Sequence, residues 1–280
     1  MFQRISNSWE LVNESMRVLQ ADKELLIFPV ISSIGVLIVS LTFLLPMIFA
    51  GAFDAIFAHG GEVMGLIVLF AFYIVQYTVI FFANTALVGA AMIRLRGGDP
   101  TLNDGIKIAS EHFGAILGYA LVSATVGMIL RFLSQRGGGI GRIISGLFGL
   151  AWNVATFLVV PVLAIEDVGP IEAIKRSTTL LKRTWGEQIA GNLGIGMVFG
   201  LLVFGLIIIG VVVTILVASI QSTALIILTA CVFILAILLV ALLHSALNGI
   251  YMAAVYQYAS DGKISGFFNQ QLVEGAFRQK

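Results

Sequence analysis

Six apolar runs, each long enough to cross a bilayer, leave this chain few ways to fold. A hydrocarbon core of about 30 Å needs roughly 20 residues of α-helix at 1.5 Å rise, and in lipid an isolated helix satisfies its own backbone where an open strand cannot. The runs read as Pro29 to Phe53, Met64 to Ile93, Gly114 to Leu133, Ile143 to Ile165, Ile189 to Ile220 and Thr223 to Tyr258. The second, fifth and sixth exceed the minimum, so they tilt or project beyond the hydrocarbon, and the sequence does not choose between the two. Composition agrees, with 59% hydrophobic and 11% charged residues, where soluble domains carry about 25% charged residues. The segments between runs are too short to bury a core of their own, which argues against an extramembrane enzyme domain. Residues 1–24 are polar and amphipathic rather than a basic stub followed by an apolar stretch, so insertion is expected to start from an internal helix without a cleavable signal.

Basic residues set the expected orientation. Of 16 Lys and Arg, all but Arg131, Arg136 and Arg142 fall on the side that holds the N-terminus, the 94–113 and 166–187 loops and the C-terminus. The positive-inside rule makes that side cytoplasmic, in a cytoplasmic (inner) membrane.

The segments on the basic side carry helical stripes. Ile5, Trp9, Val12, Met16 and Leu19 form the first, Leu102, Ile106, Ala109 and Phe113 the second, and Ile171, Ile174, Thr178, Leu181 and Trp185 the third. Thr101 with Asp104 reads as a capping box, Pro170 as a first helical residue with Glu172 in its first turn, and Pro29 as the stop of the first surface helix. Three times, then, an amphipathic helix precedes a pair of spans. We read a triplicated unit, with repeats 1–97, 98–166 and 167–262 and a tail 263–280, within a single all-α integral membrane domain. Asn84, Asn153 and Asn248 lie 13 to 15 residues before Asp99, Asp167 and Asp261. The short matches Gly105-Ile106-Lys107 and Ala173-Ile174-Lys175 agree with this reading.

Ser8-Trp9-Glu10-Leu11, the run Asp22-Lys23-Glu24-Leu25-Leu26-Ile27-Phe28-Pro29, and Lys175-Arg176-Ser177 through Trp185-Gly186 give the chain its most specific wording. In these motifs it resembles a family of uncharacterised prokaryotic multi-span membrane proteins. The resemblance implies a cytoplasmic-membrane protein, and it carries no catalytic residue over.

Ionisable groups within a membrane are costly and usually functional. The runs hold no Asp or Glu away from their ends, which argues against a proton-relay or sodium-coupled transporter. Arg131 is expected to snorkel to the outer interface. The candidate intramembrane polar site is Gln76, Asn84, Asn153, His244, Ser245 and Asn248, read either as a polar path or lipid-headgroup site, or as hydrogen bonds between helices of about 0.6 kcal/mol each. His59, His112 and His244 are expected on different levels, so neither a metal site nor any cofactor is expected. The glycine-rich Gln135 to Arg142 segment fits no nucleotide motif and reads as a flexible turn. Glu166 and Asp167 read as caps at a helix start rather than an acid and base. Gly196 and Gly200, with Gly191, Gly205 and Gly210, suit close internal helix packing. Cys231 reads as a small buried hydrophobe.

The expected function is that of a non-enzymatic protein engaging lipid, or a protein partner at the cytoplasmic face, with Trp9, Phe113 and Trp185 as interfacial anchors. No nucleic-acid partner is expected. The alternative is a channel or facilitator for a small solute, lined by Asn84, Asn153 and Asn248.

Overall fold

The computed structural model describes residues 2–49, 62–185, 194–262 and 265–268. Several expectations fall outside them: Phe53 as the end of the first span, Ile189 as the start of the fifth, His59, Gly191 and most of the 263–280 tail. So do the side chains of Ile5 and Trp185.

Among the described residues there are ten α-helices and no strand. They are α1 (Phe2–Ala21), α2 (Ile27–Phe49), α3 (Glu62–Leu95), α4 (Leu102–Glu111), α5 (Phe113–Arg136), α6 (Gly138–Ala155), α7 (Val159–Ile165), α8 (Pro170–Trp185), α9 (Gly194–Ala218) and α10 (Thr223–Asp261). Six runs are long and apolar enough to cross a membrane, four of them single helices in full or in part, with a 3-10 turn joined to α2 and with α6 and α7 counted together. The protein is a multi-pass, all-α membrane protein.

Start and stop signals explain several boundaries. α3 ends in a Schellman turn, in which Gly98 N–H donates to the Ile93 carbonyl at 2.9 Å while Gly97 takes φ +90°. The capping box at α4 is present, since Asp104 N–H donates to Thr101 Oγ1 and Thr101 N–H donates to the Asp104 carboxylate. α8 begins at Pro170, as the sequence predicts.

Three boundaries differ from expectation. α1 stops at Ala21, not at Pro29: Asp22 caps a 3-10 turn (Lys23–Leu26), and Pro29 sits in the first turn of α2, where no N–H is needed. The fourth span is two helices. A ring at Pro161 would meet the Phe157 carbonyl in a continuous helix, and the chain breaks at Thr156–Leu158 before resuming as α7. The Gln135 to Arg142 segment is a tight corner, not a flexible turn. Only Gly137 separates α5 from α6, Gly138 takes φ +59°, and a Cβ on Gly141 would stand 2.5 Å from the Leu133 carbonyl oxygen.

α3 is the hub, packed by α2, α4, α5, α7 and α10. α3 touches both α7 and α10, whereas α6 packs on α5 and α8. The intervening short helices are unequal, 20, 10 and 16 residues in α1, α4 and α8. Their apolar faces are largely used in packing. Val12 and Leu19 join Leu11 and Val18 in the core, Ala109 is buried, and Leu180 and Leu181 are buried with Ala173. The core therefore lies at the end of the bundle that bears α1, α4 and α8.

Candidate functional site

The six polar candidates do not form one site. Asn84 and Asn248 are half-buried on α3 and α10, at the level where Gly249 abuts Leu87. Asn248 Nδ2 donates to Met252 Sδ at 3.5 Å within its own helix. Asn153 is exposed on α6, a helix that packs against α5 and α8 rather than α3 or α10. His244 and Ser245 are half-buried, the His244 ring lying 5.0 Å from that of Phe199. Gln76 is half-buried on α3 and its Oε1 has no hydrogen-bond donor. Two asparagines thus share a level, and the third faces outward.

Other expectations change with burial. Gly196, Gly200 and Gly205 have open space where a Cβ would go, so they do not serve internal packing; Gly210 does, against Phe233 at 3.0 Å. Cys231 is exposed rather than buried, in the stretch of α10 before Ala246 where no residue is buried. Arg131 lies at the far end of α5 and donates to Tyr73 Oη at 2.9 Å. Tyr73, Tyr77 and Phe81 stack along one face of α3 and end against Tyr119 at 4.5 Å. Of the expected interfacial anchors, Trp9 is 52% and Phe113 45% exposed, so protein leaves both largely uncovered.

What the sequence did not reveal is a set of polar ties at the core end. Glu166 is no cap at a helix start. It follows α7 and accepts from Arg176 Nε at 3.0 Å and from Tyr256 Oη at 2.9 Å, joining α7, α8 and α10. This carboxylate holds the Arg176 guanidinium further above its already high value. Arg94 at the end of α3 donates to the Ala21 carbonyl at 2.8 Å and to Asp99 at 3.1 Å, so a cation closes the C-terminus of α1. Glu24 accepts from Leu102 N–H at 3.1 Å, the first free donor of α4. Asp22 is nearly buried, and burial pushes its carboxyl up against the opposing pull of Glu24 N–H and the Arg94 charge.

The capping box supplies one stability prediction. Thr101→Ala should lower stability by about 1 kcal/mol in mixed-micelle unfolding. The Thr101 hydroxyl and N–H hold Asp104 below the usual carboxylate range. Its contribution is therefore complete above about pH 4 and is lost as pH falls through the depressed value. A Thr101→Ala loss that was the same at pH 7 and pH 2 would count against this assignment.

One cleft opens on the apolar part of the bundle. It holds about 290 Å³ between α2 and α3, walled by Ile31, Ser32 and Gly35 on one side and Thr78, Val79, Phe82 and Ala83 on the other, with Phe113 at one end. Its surface is almost wholly apolar, and the Thr78 hydroxyl is turned back to the Ile74 carbonyl at 2.7 Å. Gly35 sets the spacing, since a Cβ there would stand 2.7 Å from Val79 Cγ1.

Among the described residues no three His, Cys, Asp or Glu side chains gather in a way that could hold a metal ion. A comparison with curated proteins finds no match. Residues 63–267, from the start of α3 to beyond the end of α10, match a family of unknown function, DUF6159, and the chain belongs to that family.

Proposed function

We propose that this chain is a non-enzymatic membrane protein that binds a membrane lipid, with an acyl chain seated in the cleft between α2 and α3. The observation that carries this reading is the cleft itself, apolar in wall and set in helices whose outer faces are apolar as well. Lipid is the solvent on that side, so an occupant needs no special route of access. Phe113 at the cleft end suits the boundary between acyl chains and headgroups. Docking of a protein through the amphipathic faces has less support, because α1, α4 and α8 spend most of those faces on the core.

Native mass spectrometry of the protein released from nanodiscs tests the reading. The wild type should retain lipid, and Ser32→Phe, which fills the cleft, should lose it while unfolding at the same temperature. Equal lipid on both proteins, or none on the wild type, would sink the proposal.

We also place α1, α4 and α8 on the cytoplasmic side of an inner membrane, from the excess of basic residues there. A topology reporter fused at Gly60 should then report the opposite side, and a cytoplasmic signal would reverse the orientation.

A further inference from the structure

α3 has 34 residues and α10 has 39, so each is about 50 Å or longer at 1.5 Å per residue, against a hydrocarbon core of about 30 Å. Burial divides these helices at one level. All the buried residues of α10 lie between Ala246 and Gln257, and apart from Gly65 every buried residue of α3 lies from Ala83 onward. Before those points the helices expose large apolar side chains: Leu228 is 60% and Leu235 58% exposed, and on α9 Leu201 is 59% and Phe204 61%. Apart from Gly65, Gly141 and Gly210, no residue is buried along Val63–Phe82 on α3, Gly138–Ala155 as the whole of α6, Gly200–Ala218 on α9 or Thr223–Leu243 on α10. Each stretch is about 27 to 32 Å long. Those of α3, α9 and α10, and Val30–Phe49 on α2, contain no Asp, Glu, Lys or Arg.

Chain breaks fall at the same level. α2 starts just beyond the 3-10 turn, α4 turns into α5 at His112, and α6 gives way to α7 at Thr156–Leu158. Contacts tie these points together: Phe82 to Phe113 at 6.2 Å, Phe157 to Tyr251 at 6.4 Å and Phe199 to His244 at 5.0 Å. Beyond this level the apolar interior also holds buried polar groups, as soluble cores do, with Glu14, Ser15, Asp22 and Gln257 buried and the Arg94 and Glu166 ties alongside.

We infer that the hydrocarbon ends at the level of Phe82, Phe113, Phe157, Phe199 and His244, and that the helices beyond it form a protein layer outside the membrane. The layer is about 20 Å thick, from the dozen or so residues of α3 that cross it. α1, α4, α7 and α8 belong to this layer, and acyl chains cover only the six apolar legs. The longest helices project rather than tilt. Asn84, Asn153 and Asn248 then mark where hydrocarbon gives way to headgroups in the three pairs. Their near-constant distance from Asp99, Asp167 and Asp261 measures the thickness of the layer.

Trp152 separates this arrangement from full immersion. It sits in the middle of the 138–165 run, so a continuous span would place it at the bilayer midplane, whereas a boundary at Phe157 places it one to two turns from the interface. A variant with Trp9→Phe and Trp185→Phe leaves Trp152 as the only tryptophan for fluorescence in phosphatidylcholine vesicles brominated along the acyl chains. Quenching should be stronger from bromine near the headgroup end than near the methyl end, and the reverse order would overturn the inference. An independent reading comes from a nitroxide at Ala254→Cys in a Cys231→Ser background. A water-soluble nickel complex should relax it more than oxygen does, while a label at Leu235 should show the opposite preference. Oxygen-dominated relaxation at both positions would place the whole of α10 in hydrocarbon and end the proposal.

Discussion

Gly105→Val should lower stability by about 1 to 3 kcal/mol and detach α4 from the bundle. α4 meets α3 with almost no space between them. A Cβ on Gly105 would run into the Phe28 ring and stand 2.7 Å from the Ala86 carbonyl oxygen, while Gly89 on α3 receives Ile108 with Cβ distances of 2.9 Å. The Phe28 ring can turn, but the Ala86 carbonyl is fixed by the helix that carries it, so α4 has to move. Moving it also breaks the bond from Leu102 N–H to Glu24 and with it the link to the 3-10 turn. Hydrogen exchange over residues 102–111 should rise with the fall in mixed-micelle stability. Gly114→Ala is the control, because nothing lies within 4 Å of its Cβ position and α5 is helical there. Comparable destabilisation by both substitutions would show that glycine is needed for local conformation rather than for close approach.

The contrast between Gly105 and Gly114 also shows what the sequence could and could not convey. Hydropathy located six spans because that signal belongs to each run alone, and the Thr101 and Pro170 starts are legible because a cap involves residues three or fewer apart. Periodicity gave α1, α4 and α8 their apolar faces but not what those faces meet. The stripes suggest lipid, and on these faces Val12, Ala109 and Leu181 lie against protein while Trp9, Ile106, Phe113 and Ile171 stay exposed. Gly196 and Gly200 have the small-residue spacing of a packed interface and are open, whereas Gly105 with Ala109, and Gly249 with Ser245 and Ala253, have the same spacing and are in contact, so the spacing alone does not tell the two apart.

The candidate site fared in the same way. Similar distances from Asn84, Asn153 and Asn248 to the following aspartates report depth along a helix and say nothing of direction around it, so Asn153 could match the others in position and still face outward. Glu166 met Arg176 ten residues away and Tyr256 ninety residues away, and no local pattern announces such a meeting. The cleft between α2 and α3 is likewise a product of two helices 47 residues apart in sequence at Ile31 and Thr78. The break at Thr156–Leu158 is different, since Pro161 was in plain view within the fourth run. A proline in a span is often accommodated by neighbours, and only the neighbour decides whether the helix kinks or stops.

That neighbour is Ser177, and Ser177→Ala should cost about 1 to 3 kcal/mol. The break at Pro161 frees Leu158 N–H from a helical partner, and Ser177 Oγ on α8 accepts it at 3.0 Å. Leu158 and Ser177 are both fully buried, so no water can take over the role of the hydroxyl. Alanine leaves the donor unsatisfied among Val159, Val162 and Leu163, where its desolvation is felt in full. The proline makes this testable as a cycle. In a Pro161→Ala background the helix can close toward its ordinary i to i−4 pattern, which offers Leu158 N–H a backbone acceptor, so Ser177→Ala should cost less there than in the wild type. Equal costs in the two backgrounds would mean that Ser177 acts only by filling space, and the break would then be stabilised by the packing of α7 alone.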